Sequence, residues 1–587
     1  MLFNGMLTEE KLEAPAANIS RGAQLSDAPS AFEARWGSAC IFALASFAVA
    51  IRLFFWYYTR RTWEDALIST QHAENAARGL GLTHVPGGPH VHGFTTPVSI
   101  LIPLLAELVH SGLGVASMKV VSAVCGGLTV WLAMRMSQRL RLSFPVTLFI
   151  GGYLAIEHQQ ILFGMAGMET QMAVTIALFS IYSLFDFKPT LIGISLALCM
   201  FARPDFCLWV AVMFALAAWH CWNKRDFRPL ETIAFWLLVL YGPWIAFTTW
   251  YYGSPIPNTI LAKAWGYGAH WYAGMSASAV RFGLLVRARR IFVLLGPSYG
   301  GHGMGFSLFR NWQIVISLTV HLFVLIGMAV TLRSKVLPAL AISAFTFVYS
   351  VYYLVLVSVV APWYCIPLAA VAIMAAGIGL DAALKDCFTT RMRSVIGYAL
   401  VTAYLASLAV YAPASFRDEK RIQAFVEDGV RKQIGLYLGA RIGPHQTIGC
   451  EPLGYIGYYS RHVIYDFPGL CNRDAAEYFH QHPLQPDPSG GYTFRRKMLM
   501  TSMIGMLAHF RPDYIVLRPE EYQTAVDNRQ DWLLSEYQQI AVFRVSDEHR
   551  AQLLFPKDNI DLEYHVFERK SDLAQGSTSP AGPPQQN

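Results

Sequence analysis

Charge is scarce in this chain. Asp, Glu, Lys and Arg together make up 14% of the 587 residues against 54% apolar residues. The apolar residues come in repeated runs of about 18 to 22, the length that crosses a bilayer core, and this excludes an ordinary water-soluble globule. No H-x-x-x-H pattern and no Cys/His cluster at ligand spacing is present, so no metal site is read from the sequence. His90-Val91-His92 would need ligands from elsewhere, and a divalent cation is left open as the one possible cofactor. Seven of the nine cysteines lie in or beside apolar runs, where a thiol behaves as a small hydrophobe. Only Cys450 and Cys471 fall in a more polar region, and their pairing depends on that region being exported. The net charge of +7 is spread over short loops. It therefore reads as topology information and not as a nucleic-acid footprint. Neither a cleavable signal before the first span nor an internal repeat of the transporter kind is seen, so the run from Cys40 is expected to be an uncleaved anchor.

Eleven spans are expected, near 38–57, 115–134, 144–161, 171–186, 189–203, 206–221, 230–250, 311–332, 336–358, 363–380 and 394–413. Residues 96–112 are apolar but short, with Pro97, Pro103 and Glu107 inside, and are read as a helix lying at the interface. With that choice Arg135, Arg139, Arg141, Lys188, Lys224, Arg225, Arg228, Arg333, Lys335, Lys385, Arg391 and Arg393 share the cytoplasmic side. Arg287, Arg289 and Arg290 are the exception, in an outside loop for which a re-entrant or interfacial helix is expected. The resulting order is a cytoplasmic segment (1–37), a transmembrane domain (38–413) with its first external loop at 58–114, an exported soluble α/β domain (414–570) and a disordered tail (571–587). Strands are expected at Thr447-Ile448-Gly449, His462 to Tyr465, Asp513 to Leu517 and Gln539 to Phe543. The protein is placed in the inner (plasma) membrane, with its polar loop and C-terminal domain on the periplasmic, extracytoplasmic side.

What is present between the apolar runs is a polar island, Trp63 to Thr95, opening on adjacent carboxylates. If residues 63–78 are helical, Asp65, Ser69 and His72 fall at i, i+4 and i+7 on one face, with Gln71 and Asn75 beside it. Gly79 and Gly81 then end the helix, and Pro86-Gly87-Gly88-Pro89 makes a loop carrying His84, His90 and His92. Side chains of Glu64 and Asp65 point about 100° apart on a helix, so one acts and the other orients. An interfacial carboxylate suits a general base toward a hydroxyl. Ionisable groups at the mouths of spans cost several kcal/mol unless paired or facing water, which makes Glu169, Arg203, Asp205 and Lys263 candidates too. Mutual pairing of Arg203 with Glu169 or Asp205 is the structural alternative. Lys263 follows the rigid Pro255-Ile256-Pro257-Asn258 turn with no acid near it in sequence, and a cation there suits a phosphate oxygen. Aromatic Tyr455, Tyr458, Tyr459 and Tyr465 suit either a sugar or a small-domain core.

Four motifs together carry a resemblance. The stretch E-D-A-L-I-S-T-Q-H-A-E-N-A-A-R-G-L-G-L-T-H-V-P-G-G-P-H-V-H-G-F-T, then Gly167 to Thr170, Arg203-Pro204-Asp205, and Tyr251 to Lys263, stand in the order and spacing of the GT-C superfamily of membrane glycosyltransferases that use polyprenyl-phosphate sugars. Within it the chain is similar to the mycobacterial terminal arabinofuranosyltransferases. It departs from that pattern at Glu64 (for Asp), Gln71 (for Arg), His72 (for Tyr), Val85 (for Asn) and His92 (for Glu). The resemblance implies a GT-C fold and an inverting transfer of a sugar, best matched by a pentose such as arabinofuranose, from a polyprenyl-phosphate donor to a cell-envelope glycan. A lipid or protein acceptor stays open. It further implies a base at Glu64 or Asp65, with Lys263, Arg203, His92, His72, Asn258 and Glu169 as candidates for holding donor phosphate and substrate. Membrane lipid is an expected partner and nucleic acid is not. Two other classes make different predictions. A lipid-sugar flippase needs ionisable groups at mid-span depth, whereas here they gather on one face. A glycan-binding scaffold needs no carboxylate at 65.

Overall fold

The computed structural model describes residues 31–268, 272, 276–297, 311–357, 359–484, 492–528, 531–554 and 560–570. Most of the expected N-terminal segment (1–37) and all of the tail (571–587) lie outside them. Among the described residues, eight helices are long and apolar enough to cross a membrane: Gly37–Thr59, Gly114–Arg139, Pro204–Lys224, Arg228–Tyr252, Trp312–Ser334, Leu337–Leu356, Pro362–Cys387 and the run that begins at Thr390. Four shorter apolar helices, Val98–Val109, Phe144–Ile156, Thr170–Tyr182 and Pro189–Ala202, pack among them. Three of these occupy stretches expected as full spans. The stretch 144–161 is cut in two because the Glu157 carboxylate accepts from the amides of Gln159 (3.0 Å) and Gln160 (2.8 Å), capping a new helix, His158–Gly164.

Small residues let the central helices touch along their backbones. A Cβ at Gly327 would stand 1.9 Å from the Ala375 carbonyl oxygen, and one at Gly379 the same distance from that of Phe323. Helices Asn311–Ser334 and Ile366–Cys387 therefore meet at glycine, and the second is buried over most of its length. The helix Leu337–Val351 loosens into a π turn at Tyr352–Leu356, and Val357 and residues 359–361 are unwound. Carbonyls freed there find the helix Ala277–Val293: Arg287 donates to Tyr353 O (3.0 Å) and Val357 O (2.6 Å), and Arg290 to Val360 O. Two of the three arginines that stood out as an exception to the charge rule, Arg287 and Arg290, thus serve backbone carbonyls at the break.

The last span does not stop at the membrane. It runs on through Ala412–Ile422, a π-helical stretch Gln423–Arg431 and Lys432–Arg441 into the C-terminal domain. That domain is built on a five-stranded sheet of β1 (Thr447–Cys450), β2 (Val463–Asp466), β3 (Tyr514–Leu517), β4 (Tyr537–Arg544) and β5 (Glu563–Arg569), in the order β2-β1-β3-β5-β4. The first three are parallel and joined by helices; β5 pairs antiparallel with both β3 and β4. β5 was not among the expected strands, because charged residues interrupt its pattern although Tyr564, Val566 and Phe567 are buried.

Replacing Arg287 with Leu leaves two carbonyls in an apolar setting without their donor, at about 1–3 kcal/mol each. The purified variant is expected to unfold several degrees below wild type, with Arg287→Lys in between, as read by thermal unfolding in detergent. Equal melting of all three would show that the unwound segment does not depend on this side chain.

Candidate active site

The helix Glu64–Ala77 begins after Trp63, whose backbone is extended and whose amide donates to Ala166 O at 2.9 Å. The Trp63 ring meets Phe163 and Trp363 edge-on, at 5.3 and 5.4 Å between centroids. Two acids in the first turn lie at the positive end of the helix dipole, which offsets part of the cost of burying them. The helix ends where Gly79 and Gly81 take φ of 74° and 90°. From there the loop folds back, held by amides of the helix: Gln71 donates to His84 O (2.7 Å), and Asn75 to Thr83 O (2.9 Å) and His84 O (3.0 Å).

The four motifs converge on one cavity of about 440 Å³. Asp65, Glu169, Arg203, Asp205 and Lys263 line its polar part, together with Ser69, Thr95, Thr96 and Tyr364. Tyr352, Leu356, Val357, Val359 and Ile260 make an apolar continuation beside the unwound segment. Arg203 grips Asp205 with two hydrogen bonds, Nε to Oδ1 at 2.8 Å and Nη2 to Oδ2 at 3.1 Å, and Tyr353 donates to the same carboxylate at 3.0 Å. This is the structural alternative for that pair. Lys263 donates to the Tyr364 phenol at 2.9 Å, and the Arg203 guanidinium lies over the Tyr364 ring at 5.0 Å. Asp65 and Glu169 meet no side-chain partner among the described residues.

Burial pushes the Asp65 carboxyl above its ordinary range, against the pull of Lys263 and with a further push from Glu451. Glu169 is raised by burial as well, with Arg203 opposing. Burial acts to strip Lys263 of its proton, but Tyr364, Asp65 and Glu169 outweigh it and the ammonium is held more firmly than usual. The cavity thus presents one fixed cation, one cancelled ion pair and two carboxylates able to accept a proton or a hydroxyl hydrogen bond.

The other expected residues lie outside the cavity lining. Glu64 turns to the C-terminal domain and pairs with Arg431 at 3.1 Å; burial, with several acids nearby, lifts it to about 8. His72 bonds Ile68 O through Nδ1 (2.8 Å) and packs on His84 and Phe94. His92 stacks on Tyr252 at 4.6 Å. Burial lowers these two imidazoles to about 4 and about 3, so both are neutral near pH 7 and give no cationic help to a phosphate. Asn258 donates to Gly469 O (2.8 Å) and Leu470 O (3.0 Å), fastening the short helix Asn258–Gly266 to the C-terminal domain. Tyr364 and Leu470 were missed, since neither stands in a motif. Tyr455 donates to Thr62 O, Tyr458 to Glu74, and Tyr465 stacks on Phe510, so these rings serve the domain seam and core. Cys450 and Cys471 are both free thiols. Among the described residues no group of three or more His, Cys, Asp or Glu is arranged to hold a metal.

The architecture is shared with ArnT from Cupriavidus metallidurans in the apo state, at a TM-score of 0.51 and 12% identity over 91% of this chain and 98% of that one. ArnT bound to undecaprenyl phosphate gives 0.48 at the same identity and coverage. The archaeal oligosaccharyltransferase AglB from Archaeoglobus fulgidus, in complex with an inhibitory peptide and a dolichol-phosphate, gives 0.49 at 12% identity over 85% of this chain and 71% of that one. At 12% identity what is shared with apo ArnT is the fold, and the chain has the expected fold class, a multi-pass helical membrane region followed by a C-terminal α/β region. Residues 416–560 match a domain of unknown function (DUF8728). No curated protein matches the sequence.

A raised carboxyl pKa means a protonated group at pH values where a solvated one, near 3.9 for Asp, is ionised. An apolar carbodiimide, which reacts with buried protonated carboxyls, is expected to label Asp65 with a midpoint above that value and Glu64 with a midpoint near 8, read by peptide mass spectrometry across pH. Labelling of Asp65 that vanishes above pH about 4 would contradict the buried placement.

Proposed function

We propose that the chain is an inverting membrane glycosyltransferase that takes a sugar from a polyprenyl-phosphate donor, with Asp65 as general base. The observation that carries this reading is the cavity itself. A carboxylate without a side-chain partner and a fixed ammonium line one half-open cavity, whose wall also includes the apolar Ile260, Leu356, Val357 and Val359. A lipid-linked sugar phosphate needs those three surfaces and a soluble nucleotide sugar does not. The GT-C fold and the four motifs support the same reading.

Transfer then runs as a single displacement. The acceptor hydroxyl gives its proton to the Asp65 carboxylate as its oxygen forms a bond to the anomeric carbon. The bond from that carbon to the phosphate oxygen breaks with its electron pair, and polyprenyl phosphate leaves with added charge. Lys263, aligned by Tyr364, meets that charge as it builds. Burial that lifts the Asp65 pKa makes it the stronger base, with proton transfer of this kind worth typically about 10²–10⁴-fold. Glu169, free and carboxylate-bearing, suits sugar hydroxyls and not phosphate. The Arg203–Asp205 pair holds the wall between them. The motifs favour a pentose such as arabinofuranose as the transferred sugar and a cell-envelope glycan as acceptor. On this reading the cavity opens on the extracytoplasmic side of the inner membrane, where the flipped lipid donor resides.

Purified protein in detergent, given radiolabelled decaprenyl-phospho-arabinose and a panel of glycan, lipid and peptide acceptors, is expected to transfer label. Asp65→Asn should lose about 10²-fold or more in kcat while still binding donor. Lys263→Met should weaken donor binding and transfer together. Rate against pH should rise through the raised Asp65 pKa, because the deprotonated carboxylate is the working form. Donor binding without transfer by wild type, unchanged in Asp65→Asn, would sink the reading in favour of a carrier.

A further inference from the structure

The residues just before Asp65 are gripped from one side by a single stripe of the C-terminal domain. Arg61 pairs through Nε with Glu419 (2.9 Å) and through Nη1 with Glu427 (3.0 Å). The Thr62 amide donates to Gln423 Oε1 at 3.0 Å. Glu64 pairs with Arg431 at 3.1 Å. The gripping residues 419, 423, 427 and 431 are spaced by four. In an α-helix of about 3.6 residues per turn such a spacing drifts about 40° at each step. The stretch Gln423–Arg431 is instead π-helical, with a wider turn that does not add to the α-helical drift, and side chains from all four positions meet residues 61–64 as one row.

The row is anchored behind. Arg431 also holds Glu427 (3.1 Å) and Asp561 (2.6 Å), and Asp561 holds Arg518 (2.9 Å), which takes Glu451 (2.5 Å) and Glu521 (2.7 Å). Contact is close enough for a Cβ at Gly454 to stand 2.4 Å from the Glu64 carbonyl oxygen, and Ile68, one turn along from Glu64, packs into the apolar core of the C-terminal domain. The same domain fastens the helix of Lys263 through Asn258 and the carbonyls of Gly469 and Leu470. Leu470 itself reaches the cavity wall.

We propose that the C-terminal domain is the positioning device of the transfer reaction, and that Arg431 is its key positioning residue: through Glu64 it fixes the first turn of the Asp65 helix, while the 469–470 loop fixes the helix of Lys263. The domain thereby sets the spacing between base and phosphate-binding cation. This rests on the glycosyltransferase reading and assigns a role to the region matched by the domain of unknown function. Neither Arg431 nor Glu64 lines the cavity, so neither touches substrate.

The test uses the full chain in detergent, with kcat, donor KM and thermal midpoint measured for Glu64→Gln, Arg431→Gln, Arg431→Lys and the double variant Glu64→Gln/Arg431→Gln. A misplaced base loses rate and not affinity. Glu64→Gln and Arg431→Gln are expected to lose roughly tenfold or more in kcat with donor KM within about twofold, a displacement of about 1 Å being worth up to about 10²-fold. Arg431→Lys should recover part of the rate. The double variant leaves no unpaired charge between these two positions; it should melt closer to wild type than Arg431→Gln and still be slow. Wild-type kcat in the double variant, or a rise in KM with kcat unchanged, overturns the proposal. Failure of the underlying reading looks different: it appears in the wild type as absence of transfer, or as full activity of Asp65→Asn, and overturns both.

Discussion

An ammonium and a carboxylate that share a low-dielectric cavity attract each other strongly, and everything in this structure depends on their being kept from closing into an ion pair. Asp65 and Lys263 line the same 440 Å³ space, yet Lys263 bonds the Tyr364 phenol and Asp65 bonds no side chain. A direct pair would neutralise both and leave nothing to receive a proton or a phosphate. Their separation is imposed by the helices that carry them, and those helices are held from outside the membrane domain.

That constraint makes sense of features that look unrelated along the chain. The buried network of Arg61, Arg431 and Arg518 with six carboxylates is costly to desolvate and is weak evidence for stability as such. Its value is geometric, since each of the three arginines is held by two or more carboxylates. The helical run from Thr390 to Arg441, broken only by the turn at Val410-Tyr411, carries the chain from the membrane domain into the C-terminal domain. The unwound segment after Leu356, held by Arg287 and Arg290, supplies the opposite wall.

Much of the site was legible in the sequence because motif chemistry is local. The helix of Asp65, the glycines that end it, the Arg203-Pro204-Asp205 corner and Lys263 after its proline turn each declare themselves within a few residues. Partnerships across the fold do not. That Glu64 faces Arg431, 367 positions on, while Asp65 faces the cavity, follows from the 100° step between neighbours on a helix only once the side that is covered is known. His72 and His92 carry the right chemistry at a plausible spacing, but aromatic packing takes them away from the cavity and burial keeps them neutral. Asn258 sits within a motif and is spent on two carbonyls of another domain. Strands β1 to β4 were readable from β-branched runs; β5 hides its buried face among charged residues.

The central claim is that this one cavity holds the lipid-linked sugar phosphate between Lys263 and Asp65. A cryo-electron microscopy structure of the protein with polyprenyl phosphate or a non-transferable donor analogue tests it most directly. The account predicts the phosphate within hydrogen-bond reach of Lys263, the isoprenoid chain along Leu356 and Val357, and any sugar directed at Asp65. Density for the phosphate elsewhere, with this cavity empty at saturating ligand, would contradict it.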